Sequence, residues 1–483
     1  MNNVIIKDFI QLGPVRFLSR FIKGLRGLFI IMSLSPSNLG EYTIWLLYVF
    51  YFSFLELGIP IGLERDLPHH RGQKDETALQ ATANTGWSSF FYLSLMATLG
   101  LTIVGYIVFG RWVLALSLGG YLLTDKLFRA YNTNARIIFQ YQVSGAAELI
   151  QAVVSLALLF YCLPRYGIYS IFPCFMSATI ISVVYLSRLC PLTFQWSLQI
   201  GKTFEYIKKT CSLAFAFYST SIFDTISVTI VALIWDKTTL GYYAFAFRIF
   251  QVCLAIFPLL IQQVIQARMY FHLAKTEREN ASLEDLMNPM LIYGIVTSIF
   301  WLVFYWWGML VITKFAPEYK PSIIVLSIFI VSLLPLGVSK ISSDYLCSRI
   351  YKKMIFVSCC WVMGICLQIA CILLANYMFH DVFNMIPMIY VLSTLVVYFF
   401  VVGYATRIGK MRRKSLSLIA YLLSPLAAAL FSTLLIYIIF NGLPSLSISR
   451  SVYFSSASIL STLVIFFWLI WSKRVHKISE NVI

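Results

Sequence analysis

The chain has 483 residues, of which 60% are hydrophobic, 16% aromatic and only 12% charged, against about 25% charged in an ordinary soluble domain. This composition excludes a cytosolic enzyme, whose interior could not hide so much apolar surface, and a disordered regulator, which needs low hydrophobicity. The net charge of +17, from 37 Lys and Arg against 20 Asp and Glu, therefore sits on a chain that lives mostly in lipid, and has to be located there.

A hydrocarbon core about 30 Å thick takes roughly 20 apolar residues per helix. On that measure the apolar runs predict fourteen membrane-spanning helices. In the first half they cover residues 17–33, 43–63, 82–108, 112–131, 143–163 and 168–188. In the second half they cover 212–234, 241–266, 289–312, 322–346, 355–376, 385–405, 418–440 and 451–471. Runs such as Met287 to Val311 are continuously apolar, whereas barrel strands alternate at period two. The predicted class is an all-α integral membrane protein.

Lys and Arg are retained on the cytoplasmic side of membranes. With a cytoplasmic N terminus, 25 of the 37 cations fall in inner segments, the densest being Arg407, Lys410, Arg412, Arg413 and Lys414. Only Arg111, Arg165, Lys237, Lys314, Lys320 and Arg450 fall outside. The first span is interrupted by Arg20, Lys23 and Arg26 and lacks a clean small-residue cleavage site, so it is expected to remain rather than to act as a signal peptide. The ten cysteines lie largely within apolar spans and read as small buried residues, neither disulfides nor metal ligands. The five histidines, His69, His70, His272, His380 and His476, form no ligand pattern.

The sequence echoes itself. Ser37-Asn38-Leu39-Gly40-Glu41-Tyr42 resembles Thr238-Thr239-Leu240-Gly241-Tyr242-Tyr243 at an offset of 201 residues. Six predicted spans separate the copies, an even number, so the two halves share one orientation and are related by an axis along the membrane normal, a transporter pattern. The last two spans have no counterpart.

With Arg129 and Arg188, at the inner ends of their spans, counted among the inner segments, six cations fall well inside predicted spans: Arg20, Lys23, Arg26, Lys126, Arg248 and Lys340. Each costs about 2.5–3.5 kcal/mol near a helix centre, so they are expected to face water or protein. On the first helix Arg16, Arg20, Lys23 and Arg26 fall within a sector of about 120°, opposite Leu18, Leu25, Phe29 and Met32. A surface-lying amphipathic helix on anionic lipid shows the same pattern, but the fourteen-span topology requires this segment to cross, which predicts a charged lining for an aqueous cavity.

Five carboxylates oppose these cations: Glu56, Asp125, Glu148, Asp224 and Asp344. Asp125 with Arg129, and Lys340 with Asp344, are spaced for intrahelical ion pairs. Asp224 and Arg248 have no local opposite charge; they pair across a helix interface, or separately serve a coupling ion and an anionic substrate. Glu56 precedes Gly58 and Pro60, where the helix should break and line a cavity. Glu148 is expected at the inner interface. The cations inside spans exceed the carboxylates by only one, so clustering on the first helix, not net charge, carries the argument for an anionic ligand. Phosphate is the favoured type, since Arg supplies planar bidentate hydrogen bonds and Lys a compact charge.

Several motifs add a resemblance. They are Leu57-Gly58-Ile59-Pro60-Ile61-Gly62-Leu63-Glu64-Arg65-Asp66-Leu67-Pro68 continuing to Arg71-Gly72, then Leu39-Gly40-Glu41-Tyr42 with its echo, and Phe315-Ala316-Pro317-Glu318-Tyr319. With the fourteen-span pattern, the chain resembles Wzx-type O-antigen and polysaccharide lipid flippases of the multidrug/oligosaccharidyl-lipid/polysaccharide (MOP) exporter superfamily. The resemblance implies two parallel six-helix lobes, residues 1–200 and 201–408, forming a V-shaped central cavity, with two further helices and a cytoplasmic tail in 409–483. It implies translocation of an undecaprenyl-diphosphate-linked oligosaccharide to the periplasmic leaflet of the bacterial inner membrane by alternating access. Coupling would use H+ or Na+, with no cofactor; both termini would be cytoplasmic. A polysaccharide polymerase and a chain-length regulator are the implied partners, and nucleic acid is not one.

Carried onto this sequence, the basic substrate-binding role falls on Arg20, Lys23 and Arg26, then on Arg248, Lys126 and Lys340, with Arg65 at the cytoplasmic mouth. The coupling carboxylate is sought among Asp224, Asp125, Glu56 and Asp344. A flippase for the peptidoglycan lipid precursor fits the charge equally well. A multidrug exporter would share the fold, but this cavity would repel a cationic drug. A polymerase or glycosyltransferase usually needs a sizeable outer loop, whereas Asn376 to Asn384 and Asn441 to Arg450 are the longest proposed here. No nucleophile motif, metal-binding acidic pair or glycine-rich phosphate loop is present, so a non-enzyme is expected.

Overall fold

The computed structural model describes residues 2–138, 140–197, 200–256, 309–349, 351–379 and 383–408. The predicted spans 418–440 and 451–471, nearly all of 289–312 and the end of 241–266 lie outside the described residues, as do Lys410 to Lys414, Arg450, His272, His380 and His476.

Every regular element among the described residues is helical. In chain order these are α1 (Asn2–Ser33), α2 (Pro36–Ser53), α3 (Ile59–Gln73), α4 (Glu76–Phe109), α5 (Trp112–Ile137), α6 (Tyr141–Tyr166) and α7 (Ile171–Leu189). There follow α8 (Ile200–Ile234), α9 (Lys237–Ile256), α10 (Met309–Phe315), α11 (Ser322–Val331), α12 (Leu333–Arg349), α13 (Tyr351–Met378) and α14 (Met385–Ile408). Local chemistry sets several boundaries. Asp75 accepts from the Ala78 N–H at the start of α4, and Gly110, at φ 65°, ends it; a carboxylate cap and a left-handed glycine satisfy the orphan groups of helix ends.

Five described helical segments are long and apolar enough to cross a membrane, or up to seven if each of two bent pairs counts as one span. The protein is a multi-pass membrane protein. Neither α1 nor α5 is among the five, and both carry several charges. The predicted span 43–63 is not one rod: α2 passes through a single 3-10 turn, Phe54–Glu56, and α3 leaves at 46°. Leu57 (φ 51°) and Gly58 (φ 75°) both take left-handed backbone at the break. For Leu57 that conformation costs roughly 1–2 kcal/mol and must be held by its surroundings. The pair α11 and α12 bends by 44° in the same way.

The chain forms two compact units, Met1–Asn280 with Asp344–Ile365, and Ala281–Ser343 with Cys366–Ile483. In the first, α1 packs on α6, α2 on α9, α4 on α5, and α7 on both α5 and α6. Its outer surface is apolar: Leu95, Met96, Leu99, Ile103 and Ile107 of α4 are exposed, as a lipid-facing helix requires. In the second, α11 packs on α14, with the rings of Phe329 and Tyr390 5.2 Å apart. The Phe315–Tyr319 motif there ends α10 in a 3-10 turn and buries Tyr319.

Candidate functional site

The site is built outward from the sequence echo. Both copies start a helix: Ser35 caps α2 through the Asn38 N–H, and Asp236, 201 residues on, accepts from the N–H groups of Thr238 and Thr239 at the start of α9. Leu39 and Leu240 are buried, as are Tyr42 and Tyr243. Gly40 and Gly241 let the two helix starts meet at backbone contact, and Lys237 closes the exposed edge on Glu41 at 3.1 Å.

A cavity of about 610 Å³ lies beside this junction, lined by α1, α2, α8 and α9. Helix α1 contributes Arg20, Lys23 and Arg26 to its wall, and α9 contributes Arg248 and Gln251. Helix α8 adds Ser221, Asp224 and Thr225, one face of one turn. Five of the residues singled out by sequence, Arg20, Lys23, Arg26, Asp224 and Arg248, thus surround one space. The opposite face of α1 exposes Leu18, Leu25 and Met32, while Phe29 packs on Phe160 with ring centroids 5.5 Å apart. The Arg16 side chain lies outside the described residues.

Two of the arginines lie over aromatic rings. The guanidinium carbon of Arg26 lies 4.3 Å from the centre of the Phe175 ring, and its Nη1 donates to Ser155 Oγ at 2.8 Å. That of Arg248 lies 4.7 Å from the centre of the Tyr42 ring. A ring face restrains a guanidinium by cation–π attraction while its remaining N–H groups can still donate to a ligand. No ion pair joins Arg248 to Asp224 among the described residues; they share the cavity, and Asp224 is 8% exposed.

The other sequence candidates are placed elsewhere. Lys126 does not line this cavity; it is buried against Glu56, and its Nζ also donates to Ser53 O at 3.0 Å. Arg129 Nη1 reaches the other oxygen of Glu56 at 2.5 Å, so the expected Asp125–Arg129 pair is replaced by a cross-helix one. The physical reason is that Glu56, 1% exposed, cannot be left without donors, whereas Asp125 is half-buried. Arg65 pairs with its neighbour Asp66 at 2.7 Å. Glu148 is buried and accepts from Asn132 Nδ2 at 3.1 Å. Lys340 is half-buried on α12; the side chain of Asp344 lies outside the described residues, and with it the suggested pairing.

Sequence reading missed Ser155, Phe175, the partner of Arg129 and the role of Tyr42. The signal for Tyr42 was present, as it closes the first copy of the echo; the others became visible only through partners more than 70 residues away. The charged end of the 57–72 motif is also structural. Glu64 accepts from Arg136 at 2.6 Å and from Thr133 at 2.9 Å, tying α3 to the last turn of α5.

No family model matches the chain, and no curated protein does. Solved structures do. The lipid II flippase MurJ, in an inward closed conformation, matches with a TM-score of 0.69 at 11% identity, covering 96% of this chain and 100% of that one. The Vibrio cholerae MATE transporter VcmN, as a point mutant, gives 0.62 at 12% identity over 84% and 98%. A MOP superfamily transporter from Pyrococcus furiosus, described as having a binding pocket of reverse polarity, gives 0.61 at 13% over 86% and 96%. These neighbours are transporters and flippases rather than enzymes, and the chain has their fold.

Proposed function

We propose that this membrane protein of MOP-transporter fold is a flippase that carries an undecaprenyl-diphosphate-linked oligosaccharide from the cytoplasmic to the periplasmic leaflet of a bacterial inner membrane, for surface polysaccharide biosynthesis. The observation that supports this reading is the gathering of Arg20, Lys23, Arg26 and Arg248 around one cavity, against one carboxylate, Asp224, among the described residues. Four cations in a space of about 610 Å³ repel a cationic drug and suit a ligand with adjacent negative charges, such as a diphosphate. The arginines present paired donors to phosphoryl oxygens and the lysine a mobile point charge.

In the mechanism, the diphosphate neutralises the cations and lowers the cost of moving the headgroup through the membrane. The halves 1–200 and 201–408 alternate access around it, and Asp224 takes up a proton or Na+ to reset the cycle. The polyprenyl chain stays in lipid throughout, along the exposed apolar face of α1. A flippase for the peptidoglycan lipid precursor is the second reading, favoured by the likeness to MurJ over 96% of the chain.

Deletion of the gene is expected to leave lipid-linked oligosaccharide on the inner leaflet and to abolish the surface polymer. Normal surface glycan in a clean deletion with no redundant flippase would overturn the proposal. Rescue of a strain depleted of its peptidoglycan-precursor flippase would select the second reading.

A further inference from the structure

The break between α2 and α3 is gripped from two sides. On one side α5 supplies both cations to Glu56, and Lys126 Nζ also donates to the Ser53 carbonyl at the end of α2. On the other side α8 supplies Tyr218. The Gly58 N–H donates to its Oη at 2.7 Å, and its ring lies 4.6 Å from that of Phe54. A Cβ on Gly58 would come within 2.0 Å of Ala214 Cβ, so only glycine permits this approach of α8. Further along α8, Thr229 Oγ1 and Tyr51 Oη are 2.7 Å apart. Between these two fastenings, at 218 and 229, lie Ser221, Asp224 and Thr225, the part of α8 that lines the basic cavity.

We infer that Glu56 is a positioning residue: its carboxylate, held by Lys126 and Arg129, fixes the backbone break, and the break, through Gly58 and Tyr218, sets where α8 presents Asp224 to the cavity. Lys126 then serves the transported lipid only through Glu56, and Glu56 binds no coupling ion. A buried carboxylate between two cations is suited to this task, because loss of one member leaves an uncompensated charge and the arrangement cannot relax gradually. The transport readout rests on the flippase reading above; the geometric one does not.

The test uses the full-length chain in lipid nanodiscs and proteoliposomes, with spin-labelled non-canonical amino acids at the exposed positions Val113 of α5 and Leu233 of α8. Glu56→Gln and Tyr218→Phe are each expected to shift or broaden the distance distribution between the labels. Each should slow translocation of undecaprenyl diphosphate at least fivefold while changing its equilibrium binding less than twofold. Glu56→Asp should restore most of both. Unchanged label distances in folded Glu56→Gln or Tyr218→Phe protein overturn the inference, as does loss of gradient dependence in Glu56→Gln with label distances unchanged, which marks an ion-coupling group instead. Should Glu56→Gln fail to fold, Tyr218→Phe, which keeps the ring, decides alone. If the wild type binds no undecaprenyl diphosphate, the flippase reading fails while the label distances still judge the positioning role.

Discussion

Gly40 and Gly241 occupy the same place in two copies of one helix start, and each lies against the backbone of the other copy. A Cβ on Gly40 would stand 1.9 Å from the Lys237 carbonyl oxygen, and one on Gly241 would stand 1.8 Å from that of Pro36. Because Pro36 and Lys237 are themselves 201 residues apart, the contact is reciprocal, as a two-fold relation between α2 and α9 requires. Small residues that let helix backbones touch are a common device of membrane proteins, where packing replaces the hydrophobic effect between helices. Gly40→Ala and Gly241→Ala should therefore each destabilise the protein by about 1–3 kcal/mol, the usual cost of overpacking. The double variant should fall short of the sum because the sites share one interface. Thermal unfolding in detergent reads both.

The two arginines that lie over rings make a different prediction. Arg26→Lys and Arg248→Lys keep the charge and remove the planar donor set, so each should weaken binding of undecaprenyl diphosphate by about tenfold, equivalent to about 1.4 kcal/mol, while the protein remains folded. Direct titration in nanodiscs at fixed ionic strength checks this, and wild-type affinity in both variants would remove the clamp from the mechanism.

Cysteines introduced at Arg20, Lys23 and Arg26 should react with a membrane-impermeant thiol reagent above the native background. Those at Leu18, Leu25 and Met32 should not, since these side chains lie on the exposed apolar face of α1. Uniform protection of the first three would count against a hydrated cavity.

Asp224→Asn should leave the protein folded and able to bind the lipid, yet lose the dependence of transport on an imposed ion gradient. Wild-type gradient dependence in reconstituted vesicles would rule Asp224 out as the coupling group.

The cap at α9 carries a pH dependence. The Thr239 hydroxyl, followed by the backbone N–H groups of Thr238 and Thr239, holds the Asp236 carboxyl below its ordinary value. A lowered folded value means that its contribution is complete above the ordinary carboxylate range and is lost as pH falls through the folded value. Asp236→Ala should cost about 1 kcal/mol at neutral pH, as for other N-caps, and the difference from wild type should shrink on acidification. Melting temperatures across acidic pH measure it.

Much of this arrangement was legible in the chain. The 100° helical period puts Arg20, Lys23 and Arg26 on one face of α1 whatever surrounds it, and lipid accepts only the other face. Gly58 and Pro60 after Glu56 announced the break, and the six-residue echo marked the two helix starts that meet. Span placement was less legible. Hydropathy gives 43–63 no angle, because it averages over a 46° bend that a single left-handed pair creates.

What the sequence by itself determined is therefore local and periodic: the helical membrane class, the basic stripe, the broken helix and the repeat. The tertiary structure alone decided the partners. By spacing, Arg129 belongs to Asp125, yet it turns to Glu56, 73 residues away. Arg248 has Asp224 within the same cavity, yet it lies over Tyr42. For Arg129 the reason is desolvation. In a low-dielectric interior the most buried charge commands the nearest donors, and which charge is most buried depends on how helices distant in sequence pack, which no local spacing records.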